Sequence, residues 1–233
     1  MRAQVFCRKI EDFWERGFHW KACKVNPTSY FCNPDVKSTV DPDFHIKPEI
    51  RILGIDDSAL LSEKVMIVGT VFRGGDWIDG VLRSEITKDG LDATDVICKM
   101  IKKSKHYGQI RVVILNGITY GGFNVVNIQM LYRETGIPVV VVMRTYPDFE
   151  KIKSALKYFP DGEERWTIIK RAGKVEKVSG EKSPIYVQRA GIGLETVKKI
   201  IRLTSIRSNI PEPLRVAHLI ATGIILGESK GKA

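Results

Sequence analysis

The sequence predicts an α/β protein built on one mixed sheet, ordered β-β-β-α-β-α-β, with helices packed on its flanks. Three observations carry that reading. Two alternating segments, Lys64 to Phe72 and Trp77 to Thr87, meet at Gly74-Gly75, a hairpin signal. Two unbroken apolar runs, Arg111 to Leu115 and Pro138 to Met143, have the character of strands buried on both faces. Helical periodicity separates them, which implies parallel strands joined by helical crossovers.

Taken in order, Ile50 to Ile55 is the first strand, and Val65, Ile67 and Val71 share one face of the second. Trp77 to Thr87 returns as the third, and Asp89-Gly90 breaks it. A helix follows from about Asp92 to Ser104, with Asp92 as N-cap and Ile97, Met100 and Ile101 on its apolar face. After the fourth strand, the glycine-rich Asn116-Gly-Ile-Thr-Tyr-Gly-Gly-Phe-Asn124 leads into a helix from about Val125 to Thr135, stopped by Gly136. Asp148 caps a helix bearing Phe149, Ile152 and Leu156. Thr167 to Lys170 and Lys174 to Val178 resemble a basic hairpin around Ala172-Gly173. Ile185 to Gln188 is a short strand. Two helices close the pattern, Leu194 to Thr204 and Pro211 to about Leu226, with proline in the first turn of the second.

The 233 residues, 43% hydrophobic and 27% charged, are those of a globular protein able to bury a large core. No apolar run has the length of a membrane-spanning helix, and the first residues carry no continuous apolar signal segment, so a cytoplasmic location is expected. A formal charge of +10 favours a polyanionic partner such as nucleic acid, a basic solvated surface being the alternative. Cys7, Cys23, Cys32 and Cys98 include no CxxC pair, which argues against a zinc centre, and Cys98 reads as a core residue on a helix. Residues 1–45 hold three of the four cysteines, Trp14, Trp20 and three prolines, without a sustained period. They are expected to be an extension, or the product of an upstream start codon, ahead of a working domain spanning 46–233.

Chemistry centres on Arg51-Ile-Leu-Gly-Ile-Asp-Asp-Ser58, where an apolar strand ends in two carboxylates. Alternation sends Asp56 and Asp57 to opposite faces. A carboxylate at such a place is costly to bury unless it is paired, hydrogen-bonded or bound to metal, so Asp56 is either a structural aspartate or a hard-metal ligand. The strand order places Asp56 beside Asn116, with Glu85, Asp89 and Asp92 at the turn after the third strand. Oxygen donors of this kind suit Mg²⁺ or Mn²⁺, and on a basic protein the natural task is phosphodiester hydrolysis. The Asn116–Asn124 loop matches neither the Walker A nor the dinucleotide spacing, so no nucleotide cofactor is expected; it is a tight turn or a seat for a backbone phosphate. His106 and His218 read as surface or helix-packing residues. Trp77 reads as a half-buried strand residue or as one that wedges or stacks on bases.

From about Lys47 onward, four stretches resemble the archaeal endonuclease dU family, itself similar to endonuclease V. Gly54-Ile-Asp-Asp-Ser58 matches the first-strand motif. Trp77-Ile-Asp-Gly-Val-Leu82 resembles the Tyr-Ile-Pro-Gly-Leu-Leu wedge of endonuclease V, with Asp79 in the proline position. Leu115-Asn-Gly117 stands where that family has Val-Asp-Gly. Gly193-Leu-Glu-Thr196 followed by Ile210-Pro-Glu-Pro-Leu-Arg-Val-Ala217 tracks the endonuclease V C-terminal pattern almost residue for residue.

The resemblance implies a ribonuclease H-like fold and a metal-dependent endonuclease that cleaves DNA at a deaminated base, with deoxyuridine named by the family. A nucleic-acid-binding protein with lost or weak catalysis is the alternative. By the same resemblance Asp56 is the first metal ligand, Asp89 the second with Glu85 as fallback, and Asn116 the third, with Asp57 or Asp92 compensating for the missing charge. Trp77 and Ile78 help open the duplex. Gly117, Gly121 and Gly122 line the base pocket or contact phosphate, and Lys170, Arg171 and Lys174 hold the backbone. Arg189-Ala190 stands in place of the Gly-His before the late helix, so the resemblance supplies no catalytic histidine.

Overall fold

A computed structural model describes residues 46–178 and 184–229 of the chain. The expected extension, residues 1–45, lies outside the described residues. Strands β1 (Arg51–Asp57), β2 (Lys64–Arg73) and β3 (Trp77–Thr87) form an antiparallel ribbon. Helix α1 (Ala93–Lys103) leads to β4 (Ile110–Asn116), which pairs parallel to β1. A small hairpin, β5 (Thr119–Tyr120) and β6 (Asn124–Val125), precedes α2 (Ile128–Thr135) and β7 (Val139–Met143), which lies parallel to β4. Helices α3 (Phe149–Leu156) and α4 (Gly162–Arg171) are followed by β8 (Glu176–Val178) and β9 (Ile185–Ala190). Helices α5 (Leu194–Thr204) and α6 (Glu212–Leu226) come last. The seven-stranded sheet runs β3-β2-β1-β4-β7-β9-β8. The predicted β-β-β-α-β-α-β order is its spine.

Two expectations are corrected. Thr167 to Lys170 is not a strand but the end of α4, and β8 pairs across to β9, with Lys177 opposite Tyr186. Trp166-Thr-Ile-Ile reads as β-branched strand sequence, yet Glu163 and Glu164 in the first turn and Lys170 and Arg171 in the last complement the dipole of a helix. Asp92 occupies the N-cap position of α1 without capping it. Its carboxylate turns back to Thr87 N and Oγ1, and Asn124 Oδ1 accepts from Ala93 N instead. Asp148 caps α3 as expected, accepting from Lys151 N. Cys98 is buried on α1.

Alternation divides the central strands between two cores. Leu53, Ile55, Val113, Leu115, Val139 and Val141 face α1 and α2. Ile52, Val112, Ile114, Val140 and Val142 face α5 and the start of α6. Further along, Met66 and Val68 of β2 pack on Ala217 and Ala221 of α6. Helix α6 reaches β1 closely because Gly54 has no side chain: a Cβ there would collide with the Pro213 backbone. Beside it, Thr70 Oγ1 donates to Pro213 O at 2.6 Å. No helix among the described residues is long and apolar enough to cross a membrane.

Candidate active site

Asp56 is the next-to-last residue of β1, with its carboxylate turned toward α6 and only 2% exposed. Oδ1 accepts from Asp57 N at 3.0 Å, and Oδ2 lies 2.9 Å from His218 Nδ1 of α6. With an ionised carboxylate as acceptor, the Nδ1–H tautomer of His218 is the donor. Ile55 pairs with Leu115, which sets Asn116 beside Asp56 at the end of β4. The Asn116 side-chain amide has no hydrogen-bond partner among the described residues. Arg144, just past β7, is exposed and shares the field of Asp56; partial burial lowers its pKa, and attraction to Asp56 opposes the shift. The ends of three parallel strands therefore carry a carboxylate, an amide and a guanidinium, with an imidazole above them.

Tyr120 locks this arrangement. The ring is fully buried, its hydroxyl donates to Ile55 O at 2.9 Å and accepts from Asn116 N at 3.0 Å, and so it bolts the ends of β1 and β4 together. Burial, reinforced by the charges of Asp56 and Asp57, pushes its phenol well above the ordinary range.

Asp57 points the other way. Its Oδ2 accepts from Gly121 N at 2.6 Å, and burial, strengthened by the Asp56 charge and partly offset by that hydrogen bond, raises its pKa to about 6. The folded state thus binds Asp57's proton more tightly than the unfolded chain. Stability is expected to fall as pH rises from about 4 to 6, by up to about 3 kcal/mol, and to stay lowered above 6. Melting temperatures of Asp57→Asn should exceed those of the parent at pH 7.5 and lack that slope; matching profiles would exclude this account.

Asp89 is on the Asp57 side as well. It adopts φ 50°, its Oδ1 accepts from Phe123 N at 2.8 Å, and a Cβ on Gly122 (φ 93°) would strike its carboxylate. Arg165, 3% exposed, fixes the same turn through Asp89 O, Gly90 O and Phe123 O while pairing with Asp161. The structure therefore does not bring Asp89 to Asp56: the carboxylate organises the glycine-rich loop. Asp92 is likewise tied to Thr87 and Asn124. Glu85, in contrast, pairs with Met66 and shares the α6-side face with Asp56, two strands away and bridged to Arg83.

Gly117 follows Asn116 at φ 83° and donates to Val142 O, whereas Gly121 and Gly122 sit with Asp57 and Asp89. Trp77 and Ile78 are 72% and 49% exposed on edge strand β3. Trp77 is level with Arg73 and Arg51, five residues back from Asp56, hence roughly 17 Å away along the strands. Lys170 and Arg171 end α4, and Lys174 precedes β8, the strand four spacings or roughly 19 Å from β1. His218, read from sequence as a packing residue, and Arg144, not singled out, are the residues sequence reasoning missed. One signal was present, since His218 directly continues the Ile210–Ala217 tract.

No three His, Cys, Asp or Glu side chains gather into a metal cage among the described residues. Mg²⁺ and Mn²⁺ do not require one: one or two carboxylates, waters and substrate phosphates commonly suffice. Asp56 and Asn116 present adjacent oxygen donors of that kind, so the residues fit such an ion.

Residues 48–225 match the model of a family described as endonuclease dU. The chain belongs to the endonuclease dU family. Relatives include a UPF0215 protein of Methanosarcina barkeri, 91% identical over 82% of this chain and 98% of its own length. One from Methanothermobacter thermautotrophicus is 52% identical over 81% of this chain and 94% of its own. A crystal structure of an Archaeoglobus fulgidus protein of unknown function superposes on this chain with TM-score 0.70 and 45% identity, covering 75% of it and 98% of that chain. Human endonuclease V matches with TM-score 0.50 and 14% identity over 73% of this chain and 82% of its own. The mixed sheet is thus of the ribonuclease H-like type found in endonuclease V.

Proposed function

We propose that the chain is a metal-dependent endonuclease that nicks DNA at a deaminated base, deoxyuridine being the base its family is named for. The observation that carries this reading is the buried Asp56 carboxylate, oriented by His218 at the ends of three parallel strands beside Asn116 and Arg144. Asp56 and Asn116 would hold Mg²⁺ or Mn²⁺, which when bound activates water and neutralises charge on the phosphate. His218 fixes one carboxylate oxygen, leaving the orientation of the other set by Asp57 N. Arg144 holds the reacting phosphate. Trp77 and Ile78 lie about five base steps away, which suits holding or parting the duplex at a distance. Lys170, Arg171 and Lys174 add long-range attraction for the backbone.

Purified chain with Mg²⁺ or Mn²⁺ should nick a uracil-containing duplex and spare the undamaged one. Absence of cleavage on uracil, hypoxanthine and xanthine substrates with every divalent metal tried would overturn the proposal. A second reading, a nucleic-acid binder with lost chemistry, is favoured by the uncharged Asn116. It requires binding that survives EDTA and is indifferent to Asp56→Ala.

A further inference from the structure

A cavity of about 310 Å³ opens beside the candidate active site, walled by Arg144 from the end of β7, Ile185 at the start of β9, and Arg207, Ser208 and Asn209 from the loop between α5 and α6. Among the described residues no carboxylate lines it. Arg144 belongs to both places, facing the cavity while feeling the charge of Asp56. It has no hydrogen-bond or ion-pair partner among the described residues.

The loop that presents Arg207 is anchored from beneath. Glu212, 1% exposed, accepts from Arg207 N at 3.2 Å, and its other oxygen takes both Arg215 Nε at 2.8 Å and Nη2 at 2.6 Å. Glu212 is therefore neutralised by Arg215. The Arg207 guanidinium approaches it only to 3.7 Å, 69% exposed, so its charge remains available to a ligand. Ser208 stiffens the turn by bonding both Ile210 O and Ile210 N. Two guanidinium groups thus line one cavity that has no carboxylate among its described lining residues, an arrangement that an external anion relieves. Arginine's planar fork matches phosphate oxygens, and a polymer of phosphates already engaged at Arg144 continues naturally into the cavity.

We infer that the Arg144–Arg207 cavity is a subsite for a second backbone phosphate of the nucleic-acid strand, adjoining the phosphate that reacts. This rests on the nuclease reading of the Asp56 site. Arg207 is a positioning residue that sets strand register and does not touch the reacting atoms.

The test is fluorescence anisotropy of a labelled single-stranded DNA oligonucleotide carrying one uracil, in EDTA, with the full chain. Arg207→Ala should weaken binding about three- to ten-fold. It should flatten the slope of log affinity against log salt by about 0.7, the signature of one lost phosphate contact. Arg207→Lys should retain most of the affinity. Moving a single uncharged methylphosphonate along the oligonucleotide should locate one position that weakens binding by the parent but not by Arg207→Ala. If no position couples to Arg207, or the salt slope does not change, the subsite is wrong. A drop in melting temperature that tracks the binding loss, with an unchanged slope, also overturns it. Coupling without nicking of any substrate would retain the subsite and remove the nuclease reading; nicking without coupling would do the reverse.

Discussion

Asp56→Ala is expected to slow nicking of a uracil-containing duplex by about a thousand-fold or more at saturating Mg²⁺. The proposed ion has one buried carboxylate at these strand ends, Asp56, and its neighbour Asn116 brings an oxygen without charge. Removing the carboxylate leaves nothing that concentrates a divalent cation there. His218→Ala should be milder, about ten- to a hundred-fold, because it loosens the carboxylate instead of deleting it. Asn116→Asp makes the opposite change and should lower the Mg²⁺ concentration needed for half-maximal rate. Rates measured against Mg²⁺, with melting curves to confirm folding, decide the matter. Asp56→Ala retaining activity within ten-fold of the parent would place the reacting centre elsewhere.

Gly54→Ala should have the largest effect on the fold. The added methyl group would enter the Pro213 backbone, which cannot swing aside as a flexible side chain does. Overpacking of this kind costs about 3 kcal/mol, a fall in melting temperature of about 6–12 °C for a chain of this size. The strain falls on the contact that holds α6 over β1. The same substitution should therefore draw His218 off Asp56 and reduce activity even below the melting transition. Gly108→Ala, where a Cβ meets open space, is the matched control and should change little. Equal melting temperatures for the two variants would show that α6 shifts without cost.

The fold was largely legible because its strands announce themselves. Val139 to Met143 is too apolar for anything but a sheet centre, and Gly74 sits at φ 59° in the expected hairpin. Helix α4 was not, since Thr167, Ile168 and Ile169 favour strands in isolation, and packing of Ile169 against Val125 and Leu156 decides otherwise. The site was half legible. Alternation separated Asp56 from Asp57 correctly, but nothing in the residue pattern says which way a turn folds once the strand has ended. Asp89 was assigned by resemblance of Asp89-Gly90 to an acidic-glycine pair, and the turn carries it beneath the sheet to Gly122. His218 and Arg144 belong to α6 and to the end of β7, and only tertiary packing brings them to a residue of β1.

Asp56 and His218 stand 162 residues apart in the chain, and α6, which brings the imidazole to β1, is made long after that strand. The β1–β3 ribbon can form early from local pairings, but α6 must travel back across the finished sheet before Asp56 is clothed. A ribosome that stalls before Glu212 releases a polypeptide without the imidazole and without the helix that covers Gly54 and Thr70. Copies cut short before α6 consequently lack the Asp56–His218 pair. On the nuclease reading, synthesis and docking of α6 are what assemble the centre.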